Sequence, residues 1–420
     1  MGGAGALMAI RVASMGLAFA LHIFLARVLG ASEYGHYSYA AAWVAFLQVI
    51  AAFGLPDATI RFTSAYCAES RWGLLRGFLR DSTTLLVISS SMIAVAFACV
   101  IWLKQSQLGT TSTNVLYVAA IATPPVALAA VWAARLRGLK RIAESALPMD
   151  IIHPIVFAMF FVGLGAVFSG SPTGADAMLA HALGAFSAFL FAAYFFHRAL
   201  PTGARSARIQ RDRRGWLGVS TPLMVMSLLV MARARSTTLL VGLSMTSDQV
   251  GYFASANQVS SLTSFGAMAI AIWAAPFISE MHMKCDMQGL QRLMRLATRS
   301  GAVLMLPMAV AFIIFGREVL SAFGNEFQAG YQALVILTLG QVVNAVTGPV
   351  GFLMTMTGNQ GVATRIEIVC TALQVGLVVT LLPAWGIEGA AFGTAVATVV
   401  RNLLMFVFAW RITGIRSSIV

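Results

Sequence analysis

The sequence predicts an all-α integral membrane protein of about 12 transmembrane helices, in two six-helix bundles related by a pseudo-twofold repeat. Three observations lead to this fold class: the composition, a series of long apolar runs, and an alternation of basic and weakly charged loops. Of the 420 residues, 59% are hydrophobic and 10% are charged. A soluble domain carries about 25% charged residues, so a soluble chain of this composition would have too few charges to cover its surface.

Long apolar runs supply the helices of this fold. A run of about 20 residues is long enough to cross the hydrocarbon core of a bilayer as a helix. The sequence contains twelve such runs, of which the ninth is the shortest. In chain order the predicted spans are Ala4–Leu29, Gly35–Leu55, Ser82–Leu103, Asn114–Ala134, Pro148–Ser169, Ala177–His197, Trp216–Leu243, Val250–Phe277, Ser300–Phe315, Tyr331–Met356, Ile366–Pro383 and Gly389–Trp410.

The basic residues orient these spans. Lys and Arg number 28 against 15 Asp and Glu, and most of them fall in the connections after even-numbered spans. The most basic connection, residues 198–215, contains Arg205, Arg208 and Arg211. Basic loops stay on the cytoplasmic side of a membrane, so we expect both termini to be cytoplasmic. The net charge of +13 is therefore interpreted as a topology signal, and no nucleic-acid partner is predicted.

The two halves of the chain resemble each other. The segment Ser32–Ala40 aligns with Asp248–Ala256, so that Gly35 corresponds to Gly251. Two repeats of like orientation are typical of transporters whose substrate site lies between the halves. The predicted organisation is an N-terminal six-helix bundle, a basic cytoplasmic linker and a C-terminal six-helix bundle, at residues 1–197, 198–215 and 216–420.

Five short motifs fall in order along the chain. The first, Leu25–Gly35, reads Leu-Ala-Arg-Val-Leu-Gly-Ala-Ser-Glu-Tyr-Gly. The others are Ile60–Tyr66, Val250–Ala256, Gly348-Pro349 with Thr357-Gly358, and Gly386–Ala391. In these motifs the chain resembles the polysaccharide-transporter family of Wzx-type flippases, within the multidrug/oligosaccharidyl-lipid/polysaccharide exporter superfamily. The chain departs from many relatives in the middle of the seventh span, where they carry an acid and this sequence has arginines.

The resemblance implies a function, partners and a location. A flippase of this family would move an undecaprenyl-diphosphate-linked oligosaccharide across the membrane during lipopolysaccharide, O-antigen or exopolysaccharide biosynthesis. Its partners would be the polyprenyl-diphosphate-linked glycan, membrane lipids, and a polysaccharide polymerase with a chain-length regulator. Its location would be the bacterial cytoplasmic (inner) membrane, as a multi-pass protein.

Arginines inside the spans are the candidate substrate-binding residues. An arginine at the bilayer centre is costly, so it is expected to face the bundle interior or a water-filled path. Arg233 and Arg235 lie in the seventh span, Arg401 in the twelfth and Arg11 in the first. A guanidinium suits a diphosphate because it donates paired charge-assisted hydrogen bonds. The alternative for each is an ion pair with a neighbouring helix or a side chain that extends to the interface.

Asp150 and His153 are candidates for proton coupling. They lie one helical turn apart on the fifth span and would share a face of an α-helix. Pro148 and Pro154 flank them, and a proline frees backbone groups within a span. The alternative is an acid at the cytoplasmic interface and a histidine satisfied by a neighbouring helix, which is the simpler interpretation.

The sequence predicts no enzyme, no cofactor and no metal site. It contains no Walker A motif, no HExxH motif and no serine-hydrolase elbow, and its four cysteines lack metal-ligand spacing. One alternative function is a cation-coupled multidrug extruder on the same fold, which would need a carboxylate in the middle of a span. The other is a polytopic O-antigen polymerase or ligase, which would need a large extracytoplasmic loop.

Overall fold

A computed structural model describes the backbone of residues 2–107, 109–167 and 171–415, and the side chains from residue 13 onward apart from 166–167 and a few positions between 265 and 276. Every regular element in these ranges is helical. In addition to the α-helices there are a π-helical turn at Pro148–Ile152 and a 3₁₀ turn at Asn325–Gly330. The α-helices are α1 (Gly2–Ala52), α2 (Leu55–Ala68), α3 (Trp72–Lys104), α4 (Thr110–Gly138), α5 (Ile142–Leu147), α6 (His153–Val167), α7 (Gly174–Ala199), α8 (Thr202–Ser206), α9 (Arg213–Ser244), α10 (Ser247–Met283), α11 (Met287–Ile314), α12 (Gly316–Ser321), α13 (Tyr331–Thr347), α14 (Val350–Met356) and α15 (Gln360–Thr413).

The helices agree with the predicted membrane fold. Within the described residues, nine helical segments are long and apolar enough to cross a membrane. On α3, Ile88, Met92 and Val95 are exposed on the surface while Phe78 and Leu86 are buried. A helix that is apolar on its outer as well as its inner face is suited to lipid. The count of twelve spans and the cytoplasmic position of both termini stay predictions.

Two of the longest helices each contain a glycine with non-helical backbone angles. Gly30 in α1 has φ 71° and ψ 175°, and Gly386 in α15 has φ 59° and ψ −143°. These angles are strained for a residue with a Cβ atom, whereas glycine adopts them readily. Each glycine separates two predicted spans, the first from the second and the eleventh from the twelfth. Both lie in motifs that the sequence analysis singled out.

The tenth predicted span is divided. The sequence predicts one helix over Tyr331–Met356, but α13 ends at Thr347 and α14 begins at Val350. Gly348, between them, has φ 70° and ψ −165°. A Cβ atom at this glycine would overlap Oγ1 of Thr298. The prediction of an unbroken helix was wrong here because periodicity does not report a backbone turn that packs tightly against another helix.

The chain packs as two compact units. The first comprises Met1–Leu29 and His36–Met231, and the second comprises Gly30–Gly35 and Ala232–Val420. The core of the first unit includes Leu75, Phe78, Leu136, Phe196 and Trp216. The core of the second includes Ile278, Met294, Leu353, Met354 and Met405. The division predicted from sequence, with a linker at residues 198–215, stays a prediction.

The basic linker is packed against α3. The backbone N–H of Gln210 donates to the carbonyl oxygen of Gly73 at 3.0 Å, and Nη1 of Arg76 donates to the carbonyl oxygen of Ala207 at 2.8 Å. A Cβ atom at Gly77 would overlap the carbonyl oxygen of Gln210. The glycines of α3 thus let the linker backbone approach the helix closely. The composition of the linker does not predict this contact.

Residues 30–35 pack within the second unit. The backbone N–H of Ala31 donates to Oε1 of Glu326 at 2.7 Å, at the start of the helical stretch that follows Gly30. A Cβ atom at Gly35 would overlap the carbonyl oxygen of Ser247 and one at Gly251 would overlap that of Ala31. The two glycines that correspond in the sequence repeat therefore lie where the two repeat segments cross.

Candidate functional site: an arginine–glutamate–arginine cluster

Polar side chains recur at helical spacing on α9 and on both arms of α15. On α9, Arg233 and Thr237 are one turn apart. On the first arm of α15, Glu367 and Gln374 are two turns apart, and on the second arm Arg401 lies two turns after Thr394. Residues at these spacings share one face of a helix. The three polar faces meet inside the second unit.

One carboxylate joins two guanidinium groups at the centre of this cluster. Nε of Arg401 lies 2.6 Å from Oε1 of Glu367, and Nε of Arg233 lies 3.4 Å from Oε2. The side chain of Arg401 is 20% exposed, that of Arg233 is 36% exposed and that of Glu367 is 21% exposed. Two positive charges against one negative charge leave the cluster with a net positive charge.

Neutral polar groups fix the surrounding helices. Nε2 of Gln374 donates to the carbonyl oxygen of Arg233 and to Oγ1 of Thr237, both at 3.0 Å. The hydroxyl groups of Thr237 and Thr394 are hydrogen-bonded at 2.9 Å. These bonds connect α9 with the two arms of α15. They hold the backbone that carries both arginines, so the cluster is built into the helix packing.

The arginines keep donor capacity for a bound anion. A guanidinium has five N–H donors. In the contacts of the described residues, Nε of both arginines is engaged with Glu367, and Nη1 of Arg401 donates to Oδ1 of Asn402 at 3.1 Å. A Cβ atom at Gly351 would lie 3.8 Å from Nη2 of Arg401. The remaining N–H groups can donate to phosphate oxygens, which guanidinium forks bind in pairs.

The structure brings two of the four predicted arginines together. Arg233 and Arg401 share Glu367. Arg235 is exposed on α9. Arg11 lies in α1, but outside the residues whose side chains the structure describes. The sequence analysis offered cavity-facing and ion-paired arginines as alternatives, whereas Arg233 and Arg401 are ion-paired and still carry excess positive charge.

Asp150 and His153 do not lie on a regular α-helix. Residues Pro148–Ile152 form a π-helical turn, and the backbone N–H of His153 donates to the carbonyl oxygen of Pro148. This wider turn changes the angle between side chains, so the α-helical spacing behind the predicted shared face does not hold. The ring of His153 instead lies 4.8 Å from that of His181. The proton-coupling role of the pair stays a prediction.

Sequence reasoning missed the acid and the amides of the cluster. The sequence analysis assigned no contact and no role to Glu367, Gln374 or Asn402. A signal was present, since Glu367, Cys370 and Gln374 follow the spacing of one helical face. An acid, a thiol and an amide in such a stripe of an otherwise apolar span indicate a polar contact with a neighbouring helix.

The chain matches a known protein family over most of its length. Residues 1–282 match the family model described as "Polysaccharide biosynthesis protein". The chain belongs to this family. The resemblance inferred from the five motifs is thereby confirmed.

One curated relative has a similar sequence. The chain is 25% identical, over 391 residues, to the "Probable low-salt glycan biosynthesis flippase Agl15" of Haloferax volcanii. The alignment covers 93% of this chain and 79% of that protein. The relative is a transporter by its name, and the similarity extends over nearly the whole chain.

Solved structures of transporters share the fold. The chain is similar to a multidrug resistance MATE family transporter of the MOP superfamily in its inward-facing conformation. The TM-score is 0.79, the identity is 15%, and 98% of each chain is covered. It is also similar to the lipid II flippase MurJ in an inward closed conformation, with a TM-score of 0.75, 12% identity, and coverage of 96% of this chain and 87% of that chain. The predicted all-α membrane transporter fold is confirmed by these similarities.

Proposed function

We propose that the protein is a flippase that moves a lipid-linked oligosaccharide across its membrane by alternating access. The observation that carries the proposal is the cluster of Arg233, Glu367 and Arg401, two cations that share one carboxylate. A net positive charge on two guanidinium forks fits a phosphate-bearing carrier. The family of polysaccharide biosynthesis proteins and the Haloferax flippase relative support the same substrate class.

A more specific form of the proposal names the carrier and the pathway. The carrier would be undecaprenyl diphosphate, and the oligosaccharide a repeat unit for lipopolysaccharide, O-antigen or exopolysaccharide in the cytoplasmic membrane of a bacterium. A polysaccharide polymerase and a chain-length regulator would act on the same intermediate. Arg233 and Arg401 would bind the diphosphate within a cationic cavity, with Arg235 and Arg11 as further cations, while Asp150 and His153 would couple transport to protons.

Mass spectrometry of lipid-linked oligosaccharides tests the transport proposal. Cells that lack this protein should accumulate complete lipid-linked repeat units, and re-expression of the wild-type chain should remove them. The Arg401→Gln variant should leave the units in place although it reaches the membrane. The matched control is Arg411→Gln, an equal loss of charge at an exposed position on the last turn of α15.

A multidrug extruder on the same fold predicts a different result. Such a protein would leave the lipid-linked pool unchanged, and its loss would sensitise cells to cationic drugs. Binding of a cationic drug is opposed by the net positive charge of the cluster, because like charges repel. An unchanged lipid pool together with drug sensitivity would overturn the flippase proposal in favour of the extruder.

A further inference from the structure

A second polar site lies within the first unit, and it shares no residue with the arginine–glutamate–arginine cluster. A cavity of about 490 Å³ is bounded by α3, the end of the basic linker and the first turns of α9. This volume is within the range of small-molecule pockets, about 300–1,000 Å³. Arg80, Arg211 and Arg213 line the cavity together with Asp81. Its apolar lining includes Leu55, Phe78, Leu85, Ile88, Trp216 and Leu217.

The arginines of the linker are held at this cavity by backbone packing. The Gln210 N–H donates to the carbonyl oxygen of Gly73, and Gly77 leaves room for the carbonyl oxygen of Gln210. Arg211 follows directly, and Arg213 begins α9 two residues later. The position of the two guanidinium groups is thus set by the contact between the linker and α3.

Positive charge exceeds negative charge at the rim. Asp81 forms ion pairs with both linker arginines, with Nε of Arg213 2.6 Å from Oδ2 and Nε of Arg211 3.4 Å from Oδ1. Arg80 is exposed, and no ion pair joins it to an acid in the described part of the chain. Three arginines and one carboxylate therefore line the cavity.

A fourth arginine lies behind the wall of the cavity. Arg135 is only 3% exposed. Its Nη2 donates to the carbonyl oxygen of Leu79 at 3.0 Å, to Oγ of Ser82 at 3.2 Å and to Oγ1 of Thr83 at 2.6 Å. Ser82 lines the cavity. These acceptors are neutral, so the Arg135 charge adds to the positive potential at this wall of the cavity.

One wall group has no partner. Ser220 lines the cavity and is 1% exposed. Its Oγ forms no hydrogen bond with the described residues. A buried hydroxyl is usually hydrogen-bonded, and an ester or phosphate oxygen of a ligand in the cavity would accept from it.

We propose that this cavity binds an anionic glycerophospholipid such as phosphatidylglycerol. Its phosphate would be held by Arg80 and Arg211, and an acyl chain would lie along Leu85 and Ile88. Basic pockets beside transmembrane helices on the cytoplasmic side hold lipid headgroups, and the basic linker is the most strongly predicted cytoplasmic segment of the chain. A free phosphate would use only the arginines, whereas the lipid also explains the apolar wall. The proposal is independent of the transported substrate.

Native mass spectrometry of the purified full chain tests the site. We expect phosphatidylglycerol to bind more tightly than phosphatidylcholine, and the Arg80→Gln/Arg211→Gln variant to lose this affinity by about tenfold or more. Arg213 still pairs with Asp81 in that variant, so the rim keeps its ion pair. The matched control is Arg208→Gln/Arg214→Gln, which removes the same amount of charge from the basic linker, at residues that do not line the cavity. Ser220→Ala should weaken binding by a few fold.

Three results would overturn the proposal. Equal losses of phosphatidylglycerol affinity in the cavity variant and in the control variant would show that the lipid is attracted by diffuse positive charge. Displacement of phosphatidylglycerol by inorganic phosphate at millimolar concentration would identify a site for a free anion. Binding of a purified lipid-linked oligosaccharide at these arginines, without binding of phosphatidylglycerol, would assign the cavity to the transported substrate. The Tm of each variant is measured as a control. A Tm equal to that of the wild type shows that the affinities compared are those of folded protein.

Discussion

Oε1 of Glu367 lies 2.6 Å from Nε of Arg401, and Oε2 of the same carboxylate lies 3.4 Å from Nε of Arg233. A single acid therefore stabilises two arginines in helices that are otherwise apolar. Without it, each guanidinium would be a costly isolated charge in a membrane. With it, the cluster still carries net positive charge, so structural pairing and anion binding are compatible in the same residues.

Substitution of Arg401 by glutamine should abolish the charge excess of the cluster. The variant leaves one arginine with one carboxylate, and hence a neutral pair. We expect export of lipid-linked oligosaccharide to fall by about tenfold or more, because a lost charge contact to a desolvated anion is expensive. The rate is measured from the disappearance of lipid-linked units after re-expression in deficient cells. Export at the wild-type rate would exclude Arg401 from substrate binding.

The Glu367→Gln variant should be less stable than the wild type. It leaves two guanidinium groups without their shared counter-charge, at a cost of about 1–2 kcal/mol for groups that are partly exposed. Thermal unfolding of the purified protein in detergent measures this loss as a lower Tm.

A second substitution tests the cause. Arg233→Gln in the Glu367→Gln background removes one of the two uncompensated charges, so part of the lost Tm should return. A double variant as unstable as the sum of the two single variants would show that Arg233 and Glu367 do not interact. Arg411→Gln, at an exposed position, serves as the control and should leave the Tm unchanged.

The helices and the cationic residues were predictable, whereas their partners were not. Long apolar runs predict spans because a helix must be about 20 residues long to cross a bilayer. The contact between Arg401 and Glu367 joins residues 34 positions apart, and that between Gln374 and Arg233 joins residues 141 positions apart. Local periodicity identifies the face of each helix, but the pairing of faces depends on tertiary packing.

The same limit applies to the linker. The composition of the linker predicts a basic, polar connection. It does not predict that the linker backbone packs against Gly73 and Gly77. Nor does the sequence around Pro148 and His153 predict a π-helical turn, since a proline is compatible with several backbone geometries. These features are decided by close contacts between distant segments.

Gly30→Ala should destabilise the protein. Gly30 has φ 71° and ψ 175°, a region that costs a residue with a Cβ atom about 1–3 kcal/mol. The new Cβ atom would also lie 3.3 Å from Oε1 of Glu326, which accepts the hydrogen bond from Ala31. We expect a lower Tm in detergent. Gly16→Ala on the same helix is the control, because no atom lies within 4 Å of its Cβ position; equal Tm values for the two variants would contradict the assigned backbone strain.

Gly77→Ala should detach the basic linker from α3. Its Cβ atom would overlap the carbonyl oxygen of Gln210, and the backbone of the linker would have to move away. We expect trypsin to cleave the linker after its arginines several-fold faster than in the wild type, because cleavage requires a locally extended and accessible backbone. Gly218→Ala on α9 meets no atom within 4 Å and should leave the cleavage rate unchanged. Equal cleavage rates in the wild type, Gly77→Ala and Gly218→Ala would mean that the linker is not held by α3.

Cysteine labelling tests the predicted topology. Cys285 is exposed just after α10, on a connection that the positive-inside rule places in the cytoplasm. Gln105, exposed just after α3, is predicted to be extracytoplasmic, and five predicted spans separate the two positions. In single-cysteine proteins, a membrane-impermeant maleimide should label Gln105→Cys in intact cells and Cys285 only after permeabilisation. Labelling of both in intact cells would require an even number of spans between them, and the reverse pattern would place both termini outside.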